Sequence, residues 1–308
     1  MSRLMRAGAV LGAVGLVALA MSGARAADKI SVGYIPVDDF IPNFIAVDKG
    51  FYAKHGLDVN LVIIPLATNV PAALFSGTLQ IGMSTTPIFM QARESGIDLA
   101  AFAGIASDKR SNPRLSLLAR KGSGIHTAKD LEGKKVAVPG LNSLFDIALR
   151  KWVKMNGGDP KKVTFVEARM PLLVDVLRTG NVDAIAVLDP FRAKALADGT
   201  AEKVADYFTQ MQDDQIMAFW IVSRAWGEKN RKLVDAYKAA MVEAVAFAQN
   251  NREETKAIGT KHLKVPIGAS LPNWTTALTP ADLKYQADFQ HELGFLKKPV
   301  DVSNVMLK

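Results

Sequence analysis

The sequence contains no cysteine. Disulfide bridges, redox dithiols and thiolate metal sites are therefore excluded, as is a lipid anchor attached through cysteine. The four histidines, His55, His126, His262 and His291, form neither H-x-x-x-H nor H-E-x-x-H. The motifs G-x-S-x-G, G-x-x-x-x-G-K-[ST] and G-x-G-x-x-G are absent as well. The sequence thus gives no support for a zinc hydrolase, a nucleophile elbow or a phosphate-binding loop, and no cofactor is expected.

Long apolar runs are confined to the N-terminus. Arg3 and Arg6 precede an apolar run over 7–20, and Ala24, Arg25 and Ala26 then form an A-x-A pattern. The run is too short to span a bilayer stably, so it predicts an export signal that is cleaved after Ala26. An ordinary helix or an anchor is the alternative, but a buried helix would show a polar face and an anchor would be longer.

The charge of the chain is only mildly positive once the export signal is set aside. The formal net charge of +8 falls to +5 when the three arginines of residues 1–26 are removed. No basic run with interleaved aromatics occurs, so nucleic-acid binding is not expected, whereas anionic solutes are compatible with this charge. A regulator built on the same fold would need an N-terminal helix-turn-helix where this chain has an export signal.

Hydrophobic periodicity predicts two series in which strands alternate with helices. The first has strands at 30–35, 57–63 and 79–83, with helices ending near 52, at 70–75 and beginning at Thr86, which would cap the helix ahead of Pro87. The second has strands at 135–138, 163–166 and 184–188, with helices at 143–156 and 171–179. Such alternation is typical of crossover units and a parallel sheet. The sequence therefore predicts two α/β lobes.

The segments between and after these series predict how the lobes are joined. Runs 99–107 and 115–119 flank a polar loop, 108–113, expected on the surface, where the chain crosses to the second lobe. An extended run, 215–222, is the predicted return, and helices at 229–250, 252–261 and 280–293 complete the first lobe. The predicted division is a signal at 1–26, lobe 1 at 27–107, lobe 2 at 108–218 and the completion of lobe 1 at 219–308. Two crossings predict a hinge, so ligand is expected to close the lobes.

Four motifs stand in order along the chain: GFYAKHGLDV (50–59), FSGTLQIG (75–82), DLEGKKVAV (130–138) and LRTGNVDA (177–184). With them the chain resembles the nitrate, sulfonate and taurine family of ABC-transporter solute-binding proteins, which includes relatives for thiamine-precursor pyrimidines. The resemblance covers nearly all of the chain after the export signal. It implies a periplasmic-binding-protein-like fold of the second type, with a ligand cleft between two lobes and no enzymatic activity.

The resemblance also implies a function and its partners. The protein is expected to be a soluble periplasmic monomer that captures a small organic anion or zwitterion, such as a sulfonate, a taurine-like compound or an aromatic carboxylate. It would deliver this solute by transient contact with the transmembrane subunits of an ABC permease. The alternative is a thiamine-precursor binding protein or a related biosynthetic enzyme, although similar synthases carry a cysteine-rich segment that this chain lacks.

One helix start departs from the family pattern. Sulfonate-type members often show a Gly-Ser pair followed by a histidine where this chain has Gly140 and Leu141, with Phe145 and Asp146 in place of an imidazole. Sulfonate or nitrate specificity is therefore not carried over to this chain. An apolar or aromatic organic acid is equally compatible with the residues present.

Ligand contacts are expected where strands end, because ligands of open α/β sheets bind beyond the carboxyl ends of the strands. Segments that also open a helix offer unpaired N–H groups and a positive dipole end, which suit anions. The candidate residues are Asp38, Asp39, Phe40, Thr68, Asn69, Ser84, Thr85, Asn142, Ser143, Arg169, Asp189 and Trp220. Simple helix capping is the alternative at each Ser, Thr, Asn or Asp.

Arg169 and the two aspartates predict opposite ends of a ligand. The guanidinium of Arg169 can hold a carboxylate or sulfonate through a bidentate pair, with a surface salt bridge as the alternative. Asp38 and Asp39 would face an amine or hydroxyl, unless one of them only caps a turn. Phe40, Trp220 and two further phenylalanines can cover a ring, or they can belong to the core.

Overall fold

The computed structural model describes residues 28–308. The predicted export signal and its cleavage after Ala26 lie outside these residues. The described chain forms two β-sheets, of six and five strands, with helices packed on both. The predicted two-lobed α/β architecture is thereby confirmed.

The first sheet has the strand order β11-β4-β10-β3-β1-β2. Its strands are β1 (Asp28–Tyr34), β2 (Leu57–Ile63), β3 (Ile81–Ser84), β4 (Leu99–Asp108), β10 (Gln215–Ser223) and β11 (Asn273–Trp274). β1 pairs in parallel with β2 and β3, whereas β10 runs antiparallel to both β3 and β4. The parallel half therefore consists of the strands predicted from the first alternating series.

The second sheet has the strand order β7-β6-β8-β5-β9. Its strands are β5 (Ser116–Arg120), β6 (Lys135–Val138), β7 (Thr164–Glu167), β8 (Ala184–Val187) and β9 (Ala201–Ala205). β6 is parallel to β7 and β8, and β5 is antiparallel to β8 and β9. Both sheets thus combine a parallel core with antiparallel strands at the side where the chain enters or leaves.

Most helices fall close to the predicted positions, whereas those at 207–211 and 224–229 have no counterpart in the prediction. The helices are α1 (Ile41–Asp48), α2 (Phe51–Lys54), α3 (Val70–Phe75), α4 (Thr86–Glu94), α5 (Leu144–Met155), α6 (Leu173–Arg178), α7 (Phe191–Ala197), α8 (Tyr207–Met211), α9 (Arg224–Lys229), α10 (Arg231–Asn250), α11 (Arg252–Leu263) and α12 (Pro280–Glu292). The prediction that Thr86 caps α4 is wrong: Thr85 has the extended backbone of an N-cap, and Thr86 is already helical. Among residues 28–308, no helix combines the length and apolar character needed to cross a membrane.

The chain crosses between the sheets twice. It leaves the first sheet after Asp108 and enters the second at Ser116, then returns between Ala205 and Gln215. The run predicted as the return therefore lies inside the first sheet as β10. The prediction of a surface loop from Asp108 onward is wrong at its first residue, because Asp108 is fully buried and accepts hydrogen bonds from backbone N–H groups. The lobe limits at 107/108 and 218/219 stay a prediction.

Two glycines, one in β1 and one in β3, allow neighbouring side chains to pack directly against the backbone of these strands. Gly33 and Gly82 are register partners across the two strands. A Cβ at Gly33 would lie 2.4 Å from Leu79 Cδ1, and one at Gly82 would lie 2.4 Å from Val70 Cγ1. Such contacts are too short for carbon atoms, so a larger residue at either position would displace the facing side chain. The sequence motif at 75–82 thus ends on a residue that the packing of α3 requires.

The two lobes also touch each other through side chains outside the crossing segments. The Gln91 side-chain amide of α4 donates to the Asn142 carbonyl across the gap at 2.9 Å. On the other side, Glu292 at the end of α12 pairs with Lys151 and with Lys154, the latter at 3.2 Å. These contacts hold α5 of the second lobe against α4 and α12 of the first.

Candidate functional site

A cavity of about 190 Å³ lies between the lobes. Its lining comes from the segments that follow β1, β2 and β3 in one sheet and β6, β7 and β8 in the other. The apolar lining includes Ile35, Phe40, Met83, Ile88, Leu144, Phe145, Met170, Leu188 and Met217. A site at the carboxyl ends of parallel strands is where α/β folds bind ligands. The position predicted from the alternating pattern agrees with this geometry.

Among the residues that the structure describes, four polar or charged side chains line this cavity: Asp39, Thr85, Ser143 and Arg169. Thr85 and Ser143 precede α4 and α5, and neither hydroxyl makes the usual capping bond to its helix. Both side chains are buried, at 4% and 2% exposure, and both hydroxyls have no hydrogen-bond partner in the structure. Buried hydroxyls ordinarily have a partner. They are therefore free to bond a ligand, one from each lobe.

A cluster of buried charges lies beside the cavity. Arg114, only 1% exposed, donates through Nη2 to the Asp38 carboxylate. Its Nη1 lies 3.8 Å from Asp39 Oδ1, and its Nε lies 3.9 Å from Asp189 Oδ2. Asp189 also receives two bonds from Arg192, at 3.1 and 2.9 Å. Arg114 thus lies between the carboxylates of Asp38 and Asp39, which follow β1 in the first lobe, and that of Asp189, which follows β8 in the second lobe.

Burial dominates the protonation of this cluster. Removal from water raises the pKa of Asp38 to about 8, although the neighbouring Arg114 guanidinium acts to lower it. Burial likewise raises the pKa of Asp39, and that of Asp108 to about 7. Burial opposes the charge of Arg114, but the surrounding aspartates outweigh this effect and raise its pKa above the ordinary value. Arg114 is therefore permanently charged, whereas the carboxyls around it compete for a single cation.

Five of the twelve candidate residues meet in the cavity: Asp39, Phe40, Thr85, Ser143 and Arg169. Two others lie behind the lining: Asp38 accepts a hydrogen bond from Arg114, and Asp189 lies 3.9 Å from it. Trp220 is a core residue whose ring packs between those of Phe40 and Tyr237, with centroids 5.7 and 5.4 Å apart. Ligand contact itself stays a prediction for every candidate.

The remaining four candidates lie outside the cavity. Thr68 and Asn142 line a shallow hollow on the outside of the lobe contact, and Asn69 is exposed. Ser84 is fully buried, and its hydroxyl donates to the Thr85 carbonyl at 3.3 Å. Proximity to a strand end is therefore not sufficient to place a side chain in the cavity.

Arg114 is the site residue that the sequence did not reveal. Arg114 lies between a proline-containing loop and the apolar strand β5. A single charged residue at such a position is typical of the end of a surface loop. The available signal was indirect: two adjacent acids, Asp38 and Asp39, at the end of a buried strand need a cation, because buried charges are nearly always paired. Within residues 28–308, no group of three or more His, Asp or Glu side chains is arranged to hold a metal.

The biosynthetic-enzyme alternative has only partial support from similarity. The 4-amino-5-hydroxymethyl-2-methylpyrimidine phosphate synthase of Schizosaccharomyces pombe is 26% identical over 100 residues, which cover 32% of this chain and 28% of the synthase. A match to one third of the chain leaves out most of the cavity-lining segments of at least one lobe.

Comparison with binding proteins covers the chain far more fully. A putative aliphatic sulfonates-binding protein of Escherichia coli K12 is 30% identical over 261 residues, covering 79% of this chain and 77% of the relative. The nitrate/nitrite binding protein NrtA of Synechococcus elongatus is 23% identical over 253 residues, which cover 72% of this chain and 55% of NrtA. The crystal structure of the E. coli periplasmic aliphatic sulphonate binding protein SsuA superposes with a TM-score of 0.75 at 23% identity, covering 91% and 97% of the two chains.

The family itself follows from a match over most of the described lobes. The model of the family described as NMT1/THI5 like matches residues 38–255, more than half of the chain, from the aspartates beside the cavity to α11. The chain therefore belongs to the NMT1/THI5-like family and has the two-lobed fold of the periplasmic binding proteins.

Proposed function

We propose that this protein is the solute-binding component of an ABC importer and that it captures a small organic anion between its lobes. The observation that carries the proposal is the enclosed cavity lined by strand ends of both sheets, with an unpartnered hydroxyl from each lobe, Thr85 and Ser143. A binding protein needs a pocket that exists only when two lobes meet, because closure then reports occupancy. The similarity to sulfonate- and nitrate-binding proteins supports the same function.

Three features suit an anion. α4 and α5 both begin at the cavity, and the first N–H groups of a helix lack partners and carry the positive end of its dipole. The N-cap hydroxyls of Thr85 and Ser143 stand at these helix starts. Arg169 adds a cationic side chain to the lining, at an exposed position on the rim. The many apolar side chains around them suit an organic body and not a bare inorganic ion.

Location and partners follow from the same proposal. The N-terminal pattern of basic, apolar and small residues would direct export and be removed after Ala26. The mature protein would then work in the periplasm as a monomer. Its closed form would make transient contact with the transmembrane subunits of a permease, which would distinguish it from the open form.

The direct test is binding by the mature protein. Organic carboxylates and sulfonates should raise the melting temperature of the wild-type protein, since a ligand that binds only the folded state stabilises it. Ser143→Ala should weaken the same ligand about tenfold, the scale of one hydrogen bond near 1.4 kcal/mol. Ser76→Ala is the matched control, because Ser76 is exposed and bonds the Ala73 carbonyl at 3.1 Å. Equal affinity for all three proteins would remove Ser143 from the site, and binding of no organic anion would overturn the proposed function.

A further inference from the structure

The two adjacent aspartates after β1 have different surroundings. Asp38 faces Arg114 and receives its hydrogen bond. Asp39 faces the cavity, and its nearest cation, Arg114 Nη1, is 3.8 Å away, too far for a hydrogen bond. No donor within residues 28–308 bonds the Asp39 carboxylate. Asp39 thus has free acceptor capacity directed at the ligand space.

This orientation is fixed by the structure around the loop. The Asp39 backbone carbonyl accepts the indole N–H of Trp274 at 3.0 Å, and the neighbouring Phe40 is packed in the core at 1% exposure. The Asp39 side chain is itself 4% exposed. A buried carboxylate without a hydrogen-bond donor is costly, so such groups are rare unless a ligand completes them.

Among the described residues, no other side chain of the lining donates a hydrogen bond to Asp39 in this structure. Beyond Asp39, the polar side chains are two hydroxyls and Arg169, and Arg169 is exposed at the rim. A ligand that is anionic throughout would place negative charge or bare carbon against a buried carboxylate. Nitrate has no hydrogen-bond donor, and neither has a simple alkanesulfonate. A solute with a second polar group of the opposite kind would give Asp39 the donor that it lacks.

Building on the proposed function, we propose that the solute is an organic anion that also carries a hydroxyl or N–H donor, and that Asp39 accepts a hydrogen bond from it. The apolar body of the solute lies against the aromatic and aliphatic lining, and its acid group lies at the starts of α4 and α5. Asp39 then selects among organic anions, while Thr85 and Ser143 serve them all. A site that bonds a ligand donor rejects the analogue without it, because its own buried group is left unpaired.

Calorimetry with matched probes tests this selection. Benzoate and 4-methoxybenzoate lack a donor at the ring, whereas 4-hydroxybenzoate and 4-aminobenzoate carry one; hexanoate and 6-hydroxyhexanoate form an aliphatic pair. The wild-type protein should bind the donor-bearing member of a pair about 10- to 100-fold more tightly, the range for a hydrogen bond to a charged group. Asp39→Asn should reduce that ratio about tenfold while leaving the affinity for the donorless member within about threefold.

Asp38→Asn is the matched control, since the same substitution is made one residue earlier in the same loop, on a side chain that contacts Arg114 and not the cavity. It should leave the ratio between pair members unchanged. Donorless members that bind as tightly as their partners would overturn the selection by Asp39 and leave the proposed function standing. A ratio that collapses equally in Asp38→Asn would assign the effect to the charge cluster as a whole. Binding of nitrate alone, or of none of the organic probes, would overturn the proposed function as well.

Discussion

Arg114 is the only cation that bonds Asp38 within residues 28–308, and Arg114→Met replaces it with an uncharged, unbranched side chain. Arg114 donates to Asp38 and lies within 4 Å of carboxylate oxygens of Asp39 and Asp189. Of these three acids, Asp189 retains Arg192 as a partner, at 2.9 Å. Two aspartates in the loop after β1 would therefore lose their cation together. The substitution separates the energetic role of the cluster from the size of the side chain.

The magnitude follows from burial. Removing one partner of a buried ion pair typically costs about 3–5 kcal/mol, because the remaining charge stays out of water without compensation. Arg178→Met is the control: Arg178 pairs with Asp175 on the surface of α6, with side chains 56% and 50% exposed. Exposed pairs of this kind contribute about 0–1 kcal/mol. Urea unfolding at pH 8 should therefore show a free energy of unfolding several kcal/mol lower in Arg114→Met and nearly unchanged in Arg178→Met, with similar m-values.

The pH dependence of the deficit refines this test. As pH falls, the aspartates around position 114 take up protons, and the loss of their cation then matters less. The difference between wild type and Arg114→Met should thus be smaller at pH 5 than at pH 8. A deficit below about 1 kcal/mol at pH 8, or the same deficit at both pH values, would refute the interpretation that Arg114 compensates buried negative charge.

Two further predictions concern the stability of the wild-type protein and the contact between its lobes. Burial raises the pKa of Asp38 to about 8 and that of Asp108 to about 7, above the ordinary value of 3.8. The stability that these two protonated carboxyls contribute is therefore full below about pH 3.8 and is lost as the pH rises toward 8. Urea unfolding should show a free energy of unfolding that decreases from pH 5 to pH 8, by at most about 1.4 kcal/mol per pH unit for each group. An increase over that interval would contradict the burial of protonated carboxyls. Glu292→Gln removes the charge that pairs with Lys151 and Lys154 of the other lobe. In the absence of ligand, small-angle scattering should therefore show a larger radius of gyration for this variant than for the wild-type protein. An unchanged radius of gyration would show that this contact does not hold the lobes together.

The local pattern of the sequence determined the elements and their order. Alternating and apolar runs placed nine of the eleven strands that the structure describes within a few residues, because strand and helix periodicity depends on neighbours along the chain. The short edge strands β9 and β11 have no counterpart in the prediction. The pattern also placed the cavity at the strand ends, where Thr85 and Ser143 stand as residues that precede helices. That inference needed only the rule that parallel strands present their carboxyl ends to a ligand.

The tertiary structure alone decided which of these polar residues share the site. Asp38 and Arg114 are separated by 76 positions in sequence, and no local signal pairs them. Two adjacent aspartates that look alike in sequence therefore have different surroundings: Asp38 accepts a hydrogen bond from Arg114, and Asp39 lines the cavity. The return crossing before Gln215 was likewise set by pairing with β4, a strand more than a hundred residues earlier. Burial, charge compensation and long-range strand pairing depend on where the folded chain brings residues together. For this physical reason, the sequence predicted the position of the cavity but not which of the candidate residues line it.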